Sequence, residues 1–372
     1  MVSLSPNVGK IAGITIQIHW TLIALLLLAL LTPLIPGEGF YLLIVVILLY
    51  ACVLLHELAH SFVSKSHNVK VKKIILLPIG GASIIDADKV KPDAELKIAL
   101  AGPICSIVLG VIFGAAWFYI PASGLLSQVL LFMFEINILL GLFNLLPGFP
   151  LDGGRVLRSY LQRRHSFIDS TMLAVRASNY VVAALIIGTV IYAALIPNAT
   201  FLYREFVVFW DIIIALFLYD GAKAELQAAR IKGFTDKMTA GDMLSENYII
   251  VKRGMMIRDL YDAMLKKGTR IALLQLGNKI NGITDRQLSK LAERQGAITA
   301  KDEAYFTVNV PQVSCKARLS RVIEIMRNEE VDTIVAMKGG KMAGILYAPY
   351  MNAALQMHLS RNSKNKNDSG SR

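Results

Sequence analysis

Residues 56–60 read His56-Glu57-Leu58-Ala59-His60. On an α-helix, residues four apart share a face, so the two imidazoles can reach a single tetrahedral Zn2+. Glu57 then stands about 100° further round the helix, where its carboxylate can act on a water at that metal. The chemistry suggested is metal-assisted hydrolysis with Glu57 as general base. The same three side chains could instead bond neighbouring helices as a polar cluster at a helix end. The setting favours the metal, because two histidines and a glutamate interrupt an otherwise apolar stretch and ionisable groups in lipid are costly.

A catalytic zinc needs a third protein ligand and one open position. The candidate is Asp152, in the run Asn144-Leu145-Leu146-Pro147-Gly148-Phe149-Pro150-Leu151-Asp152-Gly153-Gly154-Arg155. Its hard anionic oxygen suits zinc, and the flanking prolines and glycines would end a helix so that the carboxylate turns back. An isolated D-G-G is equally a helix-ending turn. The cysteines Cys52, Cys105 and Cys315 lie far apart without a C-x-x-C pair, so neither a disulfide framework nor a thiolate metal site is indicated.

These residues need elements to hold them, and composition says what kind. Of 372 residues 55% are hydrophobic and only 18% charged, with a net charge of +12. Soluble domains carry roughly 25% charged residues, so a plain soluble enzyme and a largely disordered chain are both excluded. Apolar runs near 14–35, 41–63, 96–120, 125–146, 173–196 and 206–222 each approach the ~20 residues that cross a bilayer. Six transmembrane helices are expected, the first retained as a span and not as a cleaved leader. Lys65, Lys70, Lys72, Lys73, Lys89 and Lys91 lie between the second and third runs, and Arg155, Arg158, Arg163 and Arg164 between the fourth and fifth. The positive-inside rule makes these loops cytoplasmic and, with six spans, both termini as well. Topology explains the basic excess, and nucleic acid is not needed as a partner. About fifteen apolar residues precede His56, which places a bound zinc roughly 20 Å into a 30 Å core, nearer the cytoplasm.

Beyond about residue 225 the composition becomes that of a soluble domain. Amphipathic stretches at 257–266 and 319–327 are each followed by a β-like run, a glycine turn and a second short apolar run, with a period of about 60 residues. An internal duplication is expected at 235–293 and 297–356, joined to the membrane part (1–225) by a linker at 226–234 and followed by a disordered basic tail at 357–372. Within the spans, Glu135 and Asp211 read as protonated, hydrogen-bonded packing groups in preference to a role in gating.

The pair H-E-x-x-H in the second span and N-x-x-P…P-L-D-G-G after the fourth resembles the site-2 protease family of intramembrane zinc metalloproteases, in the same order and separation. The resemblance covers roughly residues 10–225. It implies that His56, His60 and Asp152 bind zinc, that Glu57 is the general base, and that Asn144 contacts substrate or steadies the developing oxyanion. Gly102-Pro103 is similar to a further family element, with Ser106 where many relatives carry Asn. The stretch 74–85 (IILLPIGGASII) is similar to a membrane-dipping β-like loop whose edge could pair with an unwound substrate.

The duplicated unit resembles a pair of CBS domains, which implies adenine nucleotide binding and dimerisation. Of the T-x-x-D end of the nucleotide-holding pattern G-I-x-T-x-x-D, the first repeat keeps Thr284, directly after Gly282-Ile283, but has Gln287 for Asp, and the second, from Gly344, keeps neither polar residue. A dimerising scaffold without ligand fits equally well.

The expected protein is therefore a multi-pass α-helical cell-membrane protein followed by a soluble α/β tandem. It would act as a zinc endopeptidase cutting within or near the transmembrane segment of a single-span substrate in the bilayer, adjusted by its cytoplasmic module. A CBS-regulated channel or transporter would leave the H-E-x-x-H and D-G-G pair without a purpose. A non-proteolytic zinc membrane protein would leave Glu57 without one.

Overall fold

The first apolar run is divided between a strand and a short helix. In the computed structural model, which describes residues 5–31, 39–78, 80–85, 90–121, 123–195, 201–251, 255–276, 279–285, 287–289 and 308–355, the chain opens with a hairpin. Its strands are β1 (Asn7–Ile11) and β2 (Ile14–Ile18). Its turn uses positive φ at Ala12 (49°) and Gly13 (78°). The ITIQI sequence of β2 buries Ile14 and Ile16 on one face, an alternation that a strand satisfies and a helix cannot. The following helix α1 (Trp20–Ala29) has 10 residues, about 15 Å, roughly half of the hydrocarbon core.

The first compact unit, Met1–Ala229, continues with α2 (Gly39–Ser66), β3 (Val71–Leu77), β4 (Gly80–Ile85), α3 (Pro92–Phe118), α4 (Leu125–Asn144), α5 (Asp152–Leu161), α6 (Phe167–Leu195) and α7 (Phe201–Thr235). The sheet order is β1-β2-β3-β4, with β2 parallel to β3 and the other pairs antiparallel. The stretch expected to dip into the membrane is thus the β3–β4 hairpin, and β4 is a sheet edge. Ile14, Leu22, Leu58, Ile74 and Leu76 bury together, which seats the sheet on the C-terminal half of α2.

Six spans were expected; among the described residues four helices are long and apolar enough to cross a membrane, Phe40–Ser66, Pro92–Phe118, Leu125–Asn144 and Phe167–Leu195. The first expected span fails because its first five residues pair as β2 and the helix that follows has only 10 residues. The sixth lies in α7, where Asp211 and Asp220 interrupt a stretch bounded by Glu205 and Lys223. Nevertheless α7 packs antiparallel to α6. Ala222 joins Ala174, Val175 and Phe149 in one cluster, and Thr189 Oγ1 donates to Asp211 Oδ2 at 2.6 Å. Asp211 is therefore the hydrogen-bonded packing group expected, whereas Glu135 is exposed on α4. On α6, Ile186, Ile187, Val190, Ile191 and Leu195 are all exposed, an apolar face that only lipid or another apolar surface would cover.

The second unit, Arg230–Arg372, carries the duplication. A short strand β5 (Ile249–Ile250), helix α8 (Ile257–Lys267), β6 (Ile271–Leu276) and β7 (Lys279–Thr284) are followed by β8 (Val308–Asn309). The same order returns as β9 (Gln312–Ser314), α9 (Leu319–Asn328), β10 (Thr333–Lys338) and β11 (Lys341–Tyr347). In each half the short strand is parallel to the one after the helix, and that strand turns back antiparallel. Ile271, Leu273 and Ile280 of one sheet share a core with Val335 and Ile345 of the other. The basic tail expected at 357–372 lies outside the described residues.

Candidate metal centre

Helix α2 presents His56 and His60 one turn apart, as their spacing requires, with Nε2 atoms 3.1 Å from each other. Asp152 Oδ2 lies 3.1 Å from His60 Nε2 and 3.4 Å from His56 Nε2. One ligand atom from each of the three falls within 4.8 Å of the others. Asp152 comes from a different helix, at the first turn of α5, where a carboxylate is favoured by the helix dipole. The glycines after it permit a close turn. A Cβ on Gly153 would stand 2.2 Å from the Leu146 carbonyl oxygen, and one on Gly154 2.6 Å from the Phe149 nitrogen. Phe149 is itself fully buried, its N–H donated to Ser178 Oγ at 2.7 Å.

The outward nitrogens of the imidazoles are held from behind. His60 Nδ1 donates to the Ile98 carbonyl at 2.6 Å, and His56 Nδ1 lies 2.9 Å from Ser106 Oγ, both partners on α3. A carbonyl can only accept, so Nδ1 of His60 carries a proton and Nε2 of the neutral ring is a lone pair. That lone pair faces a carboxylate oxygen and a second ring nitrogen, each at 3.1 Å. Such a convergence of acceptors is repulsive unless a positive charge stands among them. Two imidazoles and a carboxylate are also the donor set of a catalytic zinc site, and the residues therefore fit the metal.

The surroundings keep the cluster clear. A Cβ on Gly102 would lie 2.2 Å from His60 Nε2 and 2.5 Å from His56 Nε2, so no larger residue fits there without displacing the rings. Glu57 is buried beside the cluster and accepts a 2.5 Å hydrogen bond from Ser83 Oγ of β4. Gly81 of the same strand lets β4 approach, since its Cβ would stand 2.3 Å from Glu57 Cγ.

Not every expected residue meets the cluster. Asn144, half-buried at the end of α4, donates its amide to the Leu140 carbonyl of its own helix at 3.0 Å. Thr284 stands in the second unit, where its N–H and hydroxyl both donate to Gln287 Oε1 at 3.0 Å. The glutamine replacing the expected Asp thus closes a local turn with Thr284. Three contributors escape a reading of residue types alone: the Ile98 carbonyl, Ser83 and Gly81. The G-G-x-S string hints at two of them, whereas a backbone carbonyl leaves no signature.

The helical unit, with its buried His-His-Asp convergence and adjacent glutamate, is the framework of a membrane metallohydrolase. Residues 44–128 and 120–189 match the description of peptidase family M50. Zinc metalloprotease MJ0392 of Methanocaldococcus jannaschii is 31% identical over 348 residues, 93% of this chain and 94% of that protein. The chain belongs to peptidase family M50, the zinc metallopeptidases of site-2 protease type. Among solved structures, the site-2 protease from Methanocaldococcus jannaschii is similar over 60% of this chain and 95% of its own, at 33% identity and a TM-score of 0.42. The CBS domain pair of protein MJ0100, solved with 5'-methylthioadenosine and S-adenosyl-L-methionine, is similar over 32% of this chain and 98% of its own, at 15% identity and a TM-score of 0.29.

Proposed function

We propose that this integral membrane metallopeptidase cuts a peptide bond within or near the transmembrane segment of a single-span protein, using His56, His60 and Asp152 as zinc ligands and Glu57 as general base. The observation that carries the reading is the convergence of those three ligand atoms within 4.8 Å, two of them from a helix long and apolar enough to span. Zinc bound there supplies Lewis acidity toward the scissile carbonyl and makes water acidic enough to ionise near pH 7. Glu57 takes the proton from the attacking water and returns it to the leaving amine. Ser83 steadies that carboxylate while it is unprotonated, and Ile98 and Ser106 keep both imidazoles aimed. The edge strand β4, next to Glu57, receives the unwound substrate backbone by strand addition, which exposes the bond to the base. Asn144 contacts the substrate or its oxyanion once its amide leaves the Leu140 carbonyl.

The cytoplasm is the side on which the site opens and both termini lie. The Lys and Arg asymmetry supports this. So does strand pairing: β2 lies beside β3, which follows the C-terminal end of α2, so the first hairpin stands at that end of the helix. The antiparallel packing of α7 on α6 returns the chain at its other end. The duplicated second unit is a CBS pair that adjusts activity through dimerisation, with adenine nucleotide binding weakened by the Thr284–Gln287 closure.

Purified protein and its Glu57→Ala variant, incubated with a panel of single-span peptides, test the proposal. Cleavage by the parent alone, inside or beside the apolar segment, is expected. Equal cleavage by both, or cleavage only of soluble peptides, rejects it.

A further inference from the structure

Arg158 is buried on α5, six residues beyond Asp152, and the chemistry above leaves it without a task. Its guanidinium is held between two rings, with its central carbon 5.0 Å from the centroid of Phe149 and 5.1 Å from that of Phe167. Nε and Nη2 both reach Glu95 Oε1 on α3, Nε at 3.1 Å, while Nη1 lies 3.3 Å from Glu225 Oε2 on α7. Gln162 Nε2, at the C-cap of α5, donates to the second oxygen of Glu95 at 3.2 Å.

A buried ion cluster is weak evidence for stability, because removing its charges from water offsets much of the attraction. Geometry is what it secures. The planar guanidinium fork fixes direction as well as distance, which a lysine ammonium does not. The groups it joins are those on which the site depends. Glu95 stands one turn before Ile98, whose carbonyl aims His60. Phe149, against the guanidinium face, belongs to the turn that delivers Asp152. A rigid ten-residue helix with one end clamped in this way can place the carboxylate at its other end.

We propose that Arg158 is a positioning residue, locking α5 to Glu95 of α3 and Glu225 of α7 so that Asp152 Oδ2 stays in register with His56 and His60. This rests on the zinc-site reading above, and the test separates the two. Neighbouring Ser159, whose hydroxyl donates to the Pro92 carbonyl at 2.5 Å, also ties α5 to α3 but by one neutral bond, and serves as the comparison.

Arg158→Lys, Arg158→Met, Ser159→Ala and Asp152→Ala are made in the full chain. Zinc affinity is measured by competition with a chromophoric chelator, the absorption bands of bound Co2+ are recorded, and the thermal midpoint is taken in excess chelator. Arg158→Lys keeps the charge and loses the fork. It is expected to weaken zinc roughly 10- to 100-fold, the range seen when a group supporting a metal ligand is removed. It should also shift the Co2+ bands, with the metal-free midpoint close to that of the parent. Ser159→Ala should leave both metal readouts unchanged. If Arg158→Met does not fold, Arg158→Lys alone decides. Parental zinc affinity and Co2+ bands in Arg158→Lys, alongside lost binding in Asp152→Ala, overturn the positioning role and leave the site reading intact. Parental zinc affinity in Asp152→Ala overturns the site reading, and the role of Arg158 falls with it.

Discussion

The carbonyl of Ile98 on one helix decides which nitrogen of His60 on another is free: it accepts from Nδ1 at 2.6 Å and leaves Nε2 as a lone pair 3.1 Å from Asp152 Oδ2. Helix α3, which carries none of the proposed ligands, therefore orients the imidazoles of α2. Gly102 and Ser106 extend the same division of labour, one by leaving space against the rings and the other by holding His56.

Gly102→Ala should damage the site without unfolding the helix, since alanine is the better helix former. The added methyl stands in the space of both Nε2 atoms. Zinc affinity is expected to fall about 10- to 100-fold, measured by chelator competition, with the helical circular dichroism unchanged. Parental zinc affinity would show that the rings relax at no cost.

Glu57→Gln should separate binding from chemistry. Glutamine keeps the size of glutamate and an oxygen to accept from Ser83, so zinc content by elemental analysis should match the parent. Turnover of a cleaved single-span peptide should drop about 10²- to 10⁴-fold, the usual worth of a general base. Loss of zinc together with activity would point to a ligand role for Glu57.

Cysteine labelling with an impermeant reagent tests orientation once Cys52, Cys105 and Cys315 are replaced. Probes at residues 70 and 160 should be silent in intact cells and label after permeabilisation. Labelling of residue 160 from outside would invert the arrangement.

A chain shortened after Thr235 keeps all of α7, including Glu225, and should retain zinc. Its cleavage rate should differ from that of the full chain by no more than the roughly 5- to 150-fold of an ordinary coupling. A shortened protein that holds zinc but cleaves nothing would make the second unit part of the catalytic machinery.

In the second unit, the Thr239 backbone N–H and hydroxyl both donate to Asp242 at 2.8 Å and hold its carboxyl below the ordinary carboxylate range. A carboxyl lowered by folding adds stability above its unfolded value, near 4, and that stability is lost as pH falls through the folded value. Thermal melts between pH 6 and pH 3 should show a small acid-dependent loss that Asp242→Asn flattens. An unchanged slope in the variant would show that the contact is not formed in solution.

The histidines proposed as ligands and the glutamate proposed as base were legible because helical spacing is a local property: His60 lies four residues after His56 whatever surrounds them. Asp152 was legible for a related reason, since prolines and glycines announce a turn and a lone acid beside them is conspicuous. The duplicated order of the second unit was equally visible, because each repeat carries its own periodicity. Distant pairings were not. Residues 14–18 look like the start of a span until β3, more than fifty residues away, offers them a strand partner and turns apolarity into alternation. The Ile98 carbonyl has no residue-type signature at all, and Arg158 in sequence is one more basic loop residue. Only the packing of α3, α5 and α7 removes Arg158 from water and surrounds it with Glu95, Glu225 and two aromatic rings. Sequence by itself determined the chemistry available within each helix, because backbone periodicity places those side chains. Tertiary structure decided which groups from separate helices face one another, because long-range packing and burial fix partners that chain spacing does not encode.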